Sequence, residues 1–490
     1  MVYFFYQQLL SFSPLREIAV LVFFMHTSVV PKASPDTLPA LAASLEPFAP
    51  LFRRATSRES VERSLTGLLT ALERTNCDTM AAAVAGPSTA RFQPLVTAAA
   101  WAPQPLDQQR VTALVWQSPR HGILVVDDTG LPKPGRASVG VARQYAGTLG
   151  KVAHGQVVVR VPDVADAPTS RAPVPWPLPA RRSLPAGWAP EAARRRKVPV
   201  PAEVACHTKP ALALPRVDQA RRWGVPCAPV VADAGYGDPP ALLPGLDDRQ
   251  LPYVGGVSTT CGGRLPAAVQ ATALWVPPRP RGRGPPRNPR PAPRSEAQAA
   301  LAPLPQERWQ TSPWREDADV VLRTPCVALR VHWATGGAQC ATRHHRVATG
   351  PEGWLLGERP VPGERGAVQW SCSNLPTDTP LQRLVELAHR RWPIEPLYAD
   401  AKGECGLAHD QGRRWDGLHR QLALVLLAES FLARQRWRPA DLAGCSPRRG
   451  APVVAGGPPP GARMALPGCR VMAHREQPDC PVPSQTDLTK

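Results

Sequence analysis

The segments ILVVDDTG at Ile123–Gly130 and PVVADAGYGD at Pro229–Asp238 carry the strongest fold signal in the chain. Each is a run of β-branched and apolar residues, typical of a buried strand, that ends in a carboxylate before a glycine turn. A third apolar run, GQVVVRV at Gly155–Val161, and a helical pattern at Lys209–Gly224 lie between them. Since strands alternating with helices are typical of a sheet covered by helices, we predict an α/β core.

Outside this core the sequence pattern changes twice. Before it, leucines recur at helical spacing, as in LTGLLTALERTN at Leu65–Asn76. After Val257 the alternation stops and strand-like pieces follow at Ala318–Ala334 and Glu352–Val361, so we predict a mainly β insertion outside the central sheet. Within it, Pro277–Arg294 holds six arginines among prolines. This segment is either a solvated linker or a basic arm along a phosphate backbone.

These changes divide the chain into six predicted parts. They are an apolar leader without a structural role at 1–36, an N-terminal helical domain at 37–115, the first part of the core at 116–257, the β-rich insertion at 258–375, the second part of the core at 376–437 and a disordered tail at 438–490. Arg16 and Glu17 interrupt the leader, which leaves an apolar run too short to span a bilayer.

Composition limits the partners. The chain has 490 residues, a formal net charge of +19 and a pI of about 10.1, which favours a polyanion, nucleic acid before membrane. Its 11 cysteines include no C-x-x-C pair, so neither a zinc finger nor a disulfide framework is expected. A reducing cytoplasm fits this cysteine usage.

A third carboxylate stands in HRRWPIEPLYADAKGE at His389–Glu404, which has a helical pattern. Arg391, Glu395 and Lys402 are expected on or near one face of that helix. Pro393 and Pro396 flank the glutamate, and because proline is tolerated only in the first helical turn, we expect Glu395 in that turn. Three carboxylates on two strand ends and one helix can converge to hold two divalent cations, the device used for in-line displacement at a phosphodiester.

Taken together, these segments resemble the DDE transposases of bacterial insertion sequences, in the group marked by a Y-x2-R-x3-E-x6-K signature. DDTGLPKPGRASVGVARQYAGTLGK at Asp127–Lys151 resembles the first-aspartate block, and VVADAGYGD resembles the second. RWPIEPLYADAKGECGL followed by GRRWDGLHRQLAL resembles the glutamate block, with arginine, glutamate and lysine at the signature spacing. The resemblance runs from roughly residue 45 to 436.

The resemblance implies a ribonuclease-H-like mixed sheet flanked by helices, with an N-terminal helical domain and a β-rich insertion before the catalytic glutamate. It implies two divalent cations, most simply magnesium, and double-stranded DNA as partner: transposon terminal inverted repeats and target DNA. It further implies a homodimer on DNA, no membrane, and a place in the bacterial cytoplasm with the nucleoid. The residues it implicates are the metal-binding Asp127, Asp233 and Glu395, the neighbouring Asp128 as an alternative to Asp127, and the phosphate-binding or DNA-binding Arg391 and Lys402. Lys133, a scarce lysine beside the first aspartate in this arginine-rich chain, is a further candidate for binding phosphate or DNA.

One departure from the signature keeps other functions open. The signature tyrosine falls at position 388, where this chain has Ala388. A catalytically decayed relic that still binds DNA is therefore an alternative to an active transposase, and a cellular nuclease sharing the fold is a third possibility. Between Asp127 and Asp128, strand alternation allows one to face the site, and we favour Asp127.

Overall fold

The computed structural model describes residues 39–436 apart from 71, 85–88, 116–121, 147–149, 167–173, 189, 240, 266–294, 302, 317–320, 334–349 and 361–365. The predicted leader, the Arg/Pro-rich segment and the predicted tail lie outside the described residues. Thirteen described strands form one hydrogen-bonded sheet. They are β1 (Gly122–Pro132), β2 (Ala142–Ala146), β3 (Lys151–Arg160), β4 (Asp163–Ala165), β5 (Ala180–Arg182), β6 (Cys227–Ala232), β7 (Tyr253–Val257), β8 (Gly262–Arg264), β9 (Ser295–Glu296), β10 (Gln310–Glu316), β11 (Val321–Trp333), β12 (Glu352–Glu358) and β13 (Gln369–Ser373).

The described helices cover both faces of the sheet. They are α1 (Pro39–Leu45), α2 (Ala55–Leu69), α3 (Cys77–Ala83), α4 (Thr89–Thr97), α5 (Pro103–Val115), α6 (Ala192–Lys197), α7 (Lys209–Arg222), α8 (Ala234–Gly237), α9 (Leu242–Asp247), α10 (Ala297–Leu301), α11 (Leu381–His389), α12 (Ile394–Gly403) and α13 (Trp415–Arg436). Within the described ranges, no helix is both long and apolar enough to cross a membrane.

The centre of the sheet has the strand order β2-β3-β1-β6-β7. The first three strands are antiparallel, whereas β6 and β7 run parallel to β1 and to each other. Parallel neighbours need a crossover, and α7 and α9 supply helical ones before β6 and β7. This mixed α/β sheet with flanking helices confirms the predicted ribonuclease-H-like fold class.

Alternation along β1 divides its apolar residues between two cores. Leu124 and Val126 belong to the cluster that includes α7 and α9, whereas Ile123 and Val125 belong to the cluster that includes α11 and α12. Because both faces are covered, the strand is a continuous apolar run up to its carboxylates. The face beneath α11 and α12 is the one that carries the candidate site.

The N-terminal helices share a core with the last helix. Apolar residues of α2, α4 and α5 pack with α13 in a single cluster, which also includes Leu131 of β1 and Val158 of β3. Buried Arg110 links the N-terminal helices to the last helix: its guanidinium, on α5, donates to the Ser430 hydroxyl of α13 at 3.0 Å. The prediction of helices in this part of the chain is confirmed, while the domain boundaries stay predictions.

The insertion differs from its prediction in one respect. Its described part is rich in strands, as expected, but those strands are not outside the central sheet. β13 pairs antiparallel with β7, and the sheet continues through β12 and β11. The prediction of a separate insertion was wrong because β7 would otherwise present an unpaired edge, which β13 satisfies with backbone hydrogen bonds.

A close backbone contact fixes the turn that follows β6. α8 packs on β7 so tightly that a Cβ added at Gly237 would lie 2.0 Å from the carbonyl oxygen of Gly256. A Cβ at Gly256 would in turn lie 2.8 Å from the backbone nitrogen of Ala234 and 3.1 Å from the carbonyl carbon of Asp233. The two glycines thus hold the backbone of Asp233 against β7.

We predict that Gly237→Ala destabilises the protein by about 1–3 kcal/mol, because the methyl group must displace backbone atoms on both elements. Gly187→Ala is the matched control, since a Cβ there meets no atom within 4 Å. Chemical denaturation of the two variants measures the difference. Equal midpoints for both would contradict the close contact.

Candidate active site

Asp127 of β1 lies beside Asp233, which directly follows the neighbouring parallel strand β6. Val126 of β1 is in register with Ala232 of β6, so the residues that follow each of them are adjacent. Val125 and Val231, two positions earlier on each strand, both pack in the cluster beneath α11 and α12. Because side chains alternate, the two carboxylates project to that same face. Asp127 is buried, with 8% of its surface exposed.

The strand that carries Asp127 is longer than its sequence pattern indicates. The sequence pattern predicts a strand over Ile123–Thr129, whereas β1 continues to Pro132. Residues Asp127 to Pro132 pair with β3, and Asp127 itself is in register with Arg160. The extra length follows from this antiparallel partner, which persists after β6 has turned away at Asp233.

Glu395 reaches the same region from a helix. Pro393 is the N-cap of α12 and Glu395 lies in its first turn, as the flanking prolines predicted. A carboxylate in the first turn is favoured by the unpaired N–H groups and the dipole of the helix. Its side chain is 62% exposed, in contrast to the buried Asp127.

The guanidinium of Arg391 bridges two of the carboxylates. Its Nη1 lies 3.1 Å from Oδ2 of Asp127 and 3.2 Å from Oε1 of Glu395. The expectation that Arg391 shares a helix with Glu395 was wrong, because Arg391 lies in the turn between α11 and α12. Pro393 disfavours a helical conformation before it and has no N–H to donate, which separates the two helices.

Burial and crowding alter the acidity of this cluster. Burial raises the pKa of Asp127 to about 7; Arg391 acts against the rise, and the charge of Asp233 adds to it. Burial likewise raises the pKa of Asp233. Although burial acts to lower the pKa of Arg391, the three carboxylates raise it. The cluster therefore needs positive charge to keep its carboxylates ionised.

The donor set fits a divalent cation. Oδ1 of Asp233 is buried and has no hydrogen-bond partner among the described residues, so this oxygen is available to bind a cation. Hard cations such as Mg²⁺ take carboxylate oxygens. Across the described part of the chain, no three His, Cys, Asp or Glu side chains are close enough together to hold a metal ion. Between Asp127 and Glu395, it is the Arg391 guanidinium that bonds to both carboxylates.

Asp128 faces the opposite side of the sheet. Its carboxylate accepts a hydrogen bond from the Tyr236 hydroxyl at 2.9 Å and one from the Lys209 ammonium at 3.0 Å. Tyr236 belongs to the cluster that includes α7 and α9, away from α12. Asp128 is thus bonded to Tyr236 and Lys209 on the opposite face, whereas Asp127 is the aspartate that contacts Arg391 and lies beside Asp233.

The two predicted lysines differ in position. Lys402 lies in the last turn of α12, seven residues after Glu395. Burial lowers the pKa of Lys402, and the charges of Glu395 and Asp127 act in the opposite direction. Lys133 is not brought to the cluster. Its ammonium donates to the backbone carbonyl of Asp410 and lies 3.8 Å from that residue's carboxylate, a structural ion pair in place of the predicted phosphate contact.

Sequence reasoning missed Tyr398 and Lys209. Tyr398 follows Glu395 by three residues, so helical spacing alone places it on the same side of α12. Burial first, then the charge of Asp127, raises the pKa of Tyr398, which keeps its phenol protonated. Lys209 could have been noticed because lysine is scarce in this arginine-rich chain. Ala388, at the place of the signature tyrosine, packs with the apolar residues of α11 and α12.

Comparison with known protein families identifies the family of this chain. Residues 47–319, more than half of the chain, match the family described as DDE superfamily endonuclease, and the chain belongs to that family. Its activity is of the nuclease or transposase type, on a DNA substrate, and members of the family use divalent metal ions. The match covers Asp127 and Asp233 and ends before Glu395. No curated protein matches the chain closely enough to be counted as a relative.

We predict that the metal-free protein loses stability as the pH rises from about 4 to about 7. The pKa of Asp127 is about 7 in the fold and 3.8 ordinarily, so in this window the unfolded chain releases a proton that the folded protein retains. Asp127→Asn, which cannot ionise, should make the decline shallower, while the part that comes from buried Asp163, whose pKa is raised to about 8, should remain. Denaturation midpoints in EDTA at pH 5 and pH 8 measure it.

Asp218→Asn is the control with the opposite sign. Its hydrogen bonds to Arg249 lower the pKa of Asp218, so its contribution is present at neutral pH and lost in acid. Replacing it should not reduce the decline between pH 5 and pH 8. Identical pH dependence in the wild type and in Asp127→Asn would show that Asp127 is not the group responsible.

Proposed function

We propose that this chain is the transposase of a bacterial insertion sequence, which cleaves the ends of its element and transfers the strands to target DNA. In this proposal Asp127, Asp233 and Glu395 are the catalytic residues, and they hold two magnesium ions. The enzyme acts as a homodimer on the terminal inverted repeats, in the bacterial cytoplasm. The single observation that supports the proposal is the Arg391 guanidinium, which is ion-paired with both Asp127 and Glu395 beside Asp233 at the end of the neighbouring strand.

The cluster suits phosphodiester chemistry better than acid–base chemistry with a neutral substrate. Divalent cations, when bound, activate the attacking oxygen and stabilise the leaving oxygen of an in-line displacement. Asp127 and Asp233 would hold them from the rigid strands, and the exposed Glu395 would complete the set from the helix. Among the described residues, the Arg391 guanidinium pairs with the carboxylates of Asp127 and Glu395, so once cations take its place it could turn to a phosphate oxygen.

Asp233→Ala and Glu395→Ala should each abolish magnesium-dependent cleavage of DNA carrying the inverted repeats that flank the gene. Binding to the same DNA should change little, because the lost groups are anionic and do not contact phosphate directly. Cleavage gels and fluorescence anisotropy on the same protein preparations measure the two properties. Asp248→Ala, which removes an exposed carboxylate at the end of α9, should leave both unchanged.

The outcome separates the transposase from its alternative. If Asp233→Ala still nicks DNA at nearly the wild-type rate, the carboxylate assignment is wrong. If the wild-type chain binds its inverted repeats and does not cleave them with magnesium or manganese, it is the decayed DNA-binding relic, for which Ala388 at the signature tyrosine position is the motivating observation.

Lys402→Ala should weaken binding equally for cognate and random DNA ends. Its ammonium is proposed to meet a backbone phosphate and not a base, so it contributes affinity without sequence preference. The slope of log affinity against log salt should fall by about one contact's worth. Cleavage should fall further than binding, since the phosphate is no longer positioned at the carboxylates.

Lys151→Ala is the matched control for that experiment. Lys151 is exposed at the start of β3, roughly 30 Å along the strand from Arg160, which lies opposite Asp127. The substitution removes the same charge without altering the cleavage of bound DNA. An unchanged salt slope and normal cleavage in Lys402→Ala would make Lys402 an ordinary surface lysine.

A further inference from the structure

The hydroxyl of Tyr398 is buried without a hydrogen bond to any described residue. The residue is 5% exposed, and its Oη has no hydrogen-bond partner among the described residues. Burying a hydroxyl without a partner costs free energy, and phenylalanine would fill the same space without that cost. The hydroxyl therefore calls for a partner other than the described residues now around it.

The ring is held firmly enough that its hydroxyl cannot turn to solvent. It packs in the apolar cluster that includes Ile123 and Val125 of β1. On its other side the Arg160 guanidinium lies over the ring, 5.0 Å from the centroid. Arg160 is itself fixed by a buried, two-pronged ion pair with Glu429 of α13. The position of the hydroxyl is thus set by three elements of the fold.

Arg160 also connects Tyr398 with Asp127. Arg160 is the cross-strand neighbour of Asp127, and such neighbours project to the same face of a sheet. The aspartate already accepts a hydrogen bond from the backbone N–H of Asp128 at 2.7 Å, and its other oxygen meets Arg391. A divalent cation at Asp127 would compete with the Arg391 guanidinium, since both are positive charges attracted to the same carboxylate.

Asp128 shows what a completed arrangement looks like on the opposite face. There the hydroxyl of Tyr236 donates to the carboxylate at 2.9 Å, and Lys209 supplies the positive charge. Each aspartate of the pair therefore has a buried tyrosine on its own face. Of these two tyrosine hydroxyls, that of Tyr236 donates to its aspartate, whereas that of Tyr398 donates to no described residue.

We propose that Tyr398 is a positioning residue for the cation site: its hydroxyl donates a hydrogen bond to the Asp127 carboxylate when a divalent cation has displaced Arg391. The inference rests on the proposed function, because it requires Asp127 to bind a cation. Hydrogen bonds that orient a ligating carboxylate typically change metal affinity by about 10-fold to 100-fold. Tyr398 would thus fix the orientation of Asp127 without touching the DNA.

Tyr398→Phe tests this with a readout other than cleavage. We expect the Kd for Mn²⁺, measured by calorimetry without DNA, to rise about 10-fold or more. The melting temperature in EDTA should stay the same or rise, because the substitution removes a hydroxyl that has no partner in that state. Together, weaker metal binding and undiminished metal-free stability distinguish a positioning role from a merely structural one.

Tyr253→Phe is the matched control. Its hydroxyl is also buried, but it donates to Asp247 at 3.4 Å, away from the cluster. This variant should lower the melting temperature in EDTA and leave the Kd for Mn²⁺ unchanged. If Tyr398→Phe binds Mn²⁺ like the wild type, or loses as much metal-free stability as Tyr253→Phe, the proposal is overturned.

Asp233→Asn separates the two levels of the argument. If it binds Mn²⁺ as tightly as the wild type, the carboxylates do not form the metal site and the proposed function fails with them. If Asp233→Asn loses Mn²⁺ binding while Tyr398→Phe retains it, only the role of Tyr398 is refuted. Circular dichroism of each variant establishes that the fold is intact.

Discussion

The parallel pairing of β1 with β6 forces the buried Asp127 next to the half-buried Asp233. Two like charges at such a position repel strongly, and each also loses hydration. The fold offsets this with Arg391 from one side and with a proton on Asp127 near neutral pH. Neither solution satisfies the buried oxygen of Asp233. A strand register, which is a backbone property, thus creates a demand for positive charge.

The sequence carried enough information to find these two aspartates, because each follows an apolar run whose length and residue types are those of a buried strand. It also allowed Glu395 to be placed in the first turn of α12, since Pro393 and Pro396 leave no other helical position open to it. The choice between Asp127 and Asp128 is harder. Both faces of β1 are apolar, so the local pattern does not reveal which one lies beneath α12. Only the packing of distant helices distinguishes the two sides.

Contacts between distant parts of the chain account for the errors. Lys133 drew attention as a scarce lysine beside the first aspartate, but its partner Asp410 is 277 residues away and no local signal links them. The insertion was correctly expected to be rich in strands, whereas its attachment to the sheet depends on β13 reaching the free edge of β7. Strand propensity reports that a segment can pair, and it does not report with which edge. Arg391 was likewise placed on a helix because spacing cannot show where two helices separate.

The carboxylate site also depends on a helix that contributes no ligand to it. Glu429 of α13 forms an ion pair with Arg160, and Arg160 lies over the ring of Tyr398 and opposite Asp127 on the neighbouring strand. A buried ion pair of this kind contributes little net stability, because desolvation offsets the attraction. Removing one partner, however, leaves the other charge buried and unpaired. Its effect is therefore geometric: it allows one arrangement of α13 against β3. Since α13 shares its core with the N-terminal helices, the helical part of the chain and the carboxylate site cannot shift independently.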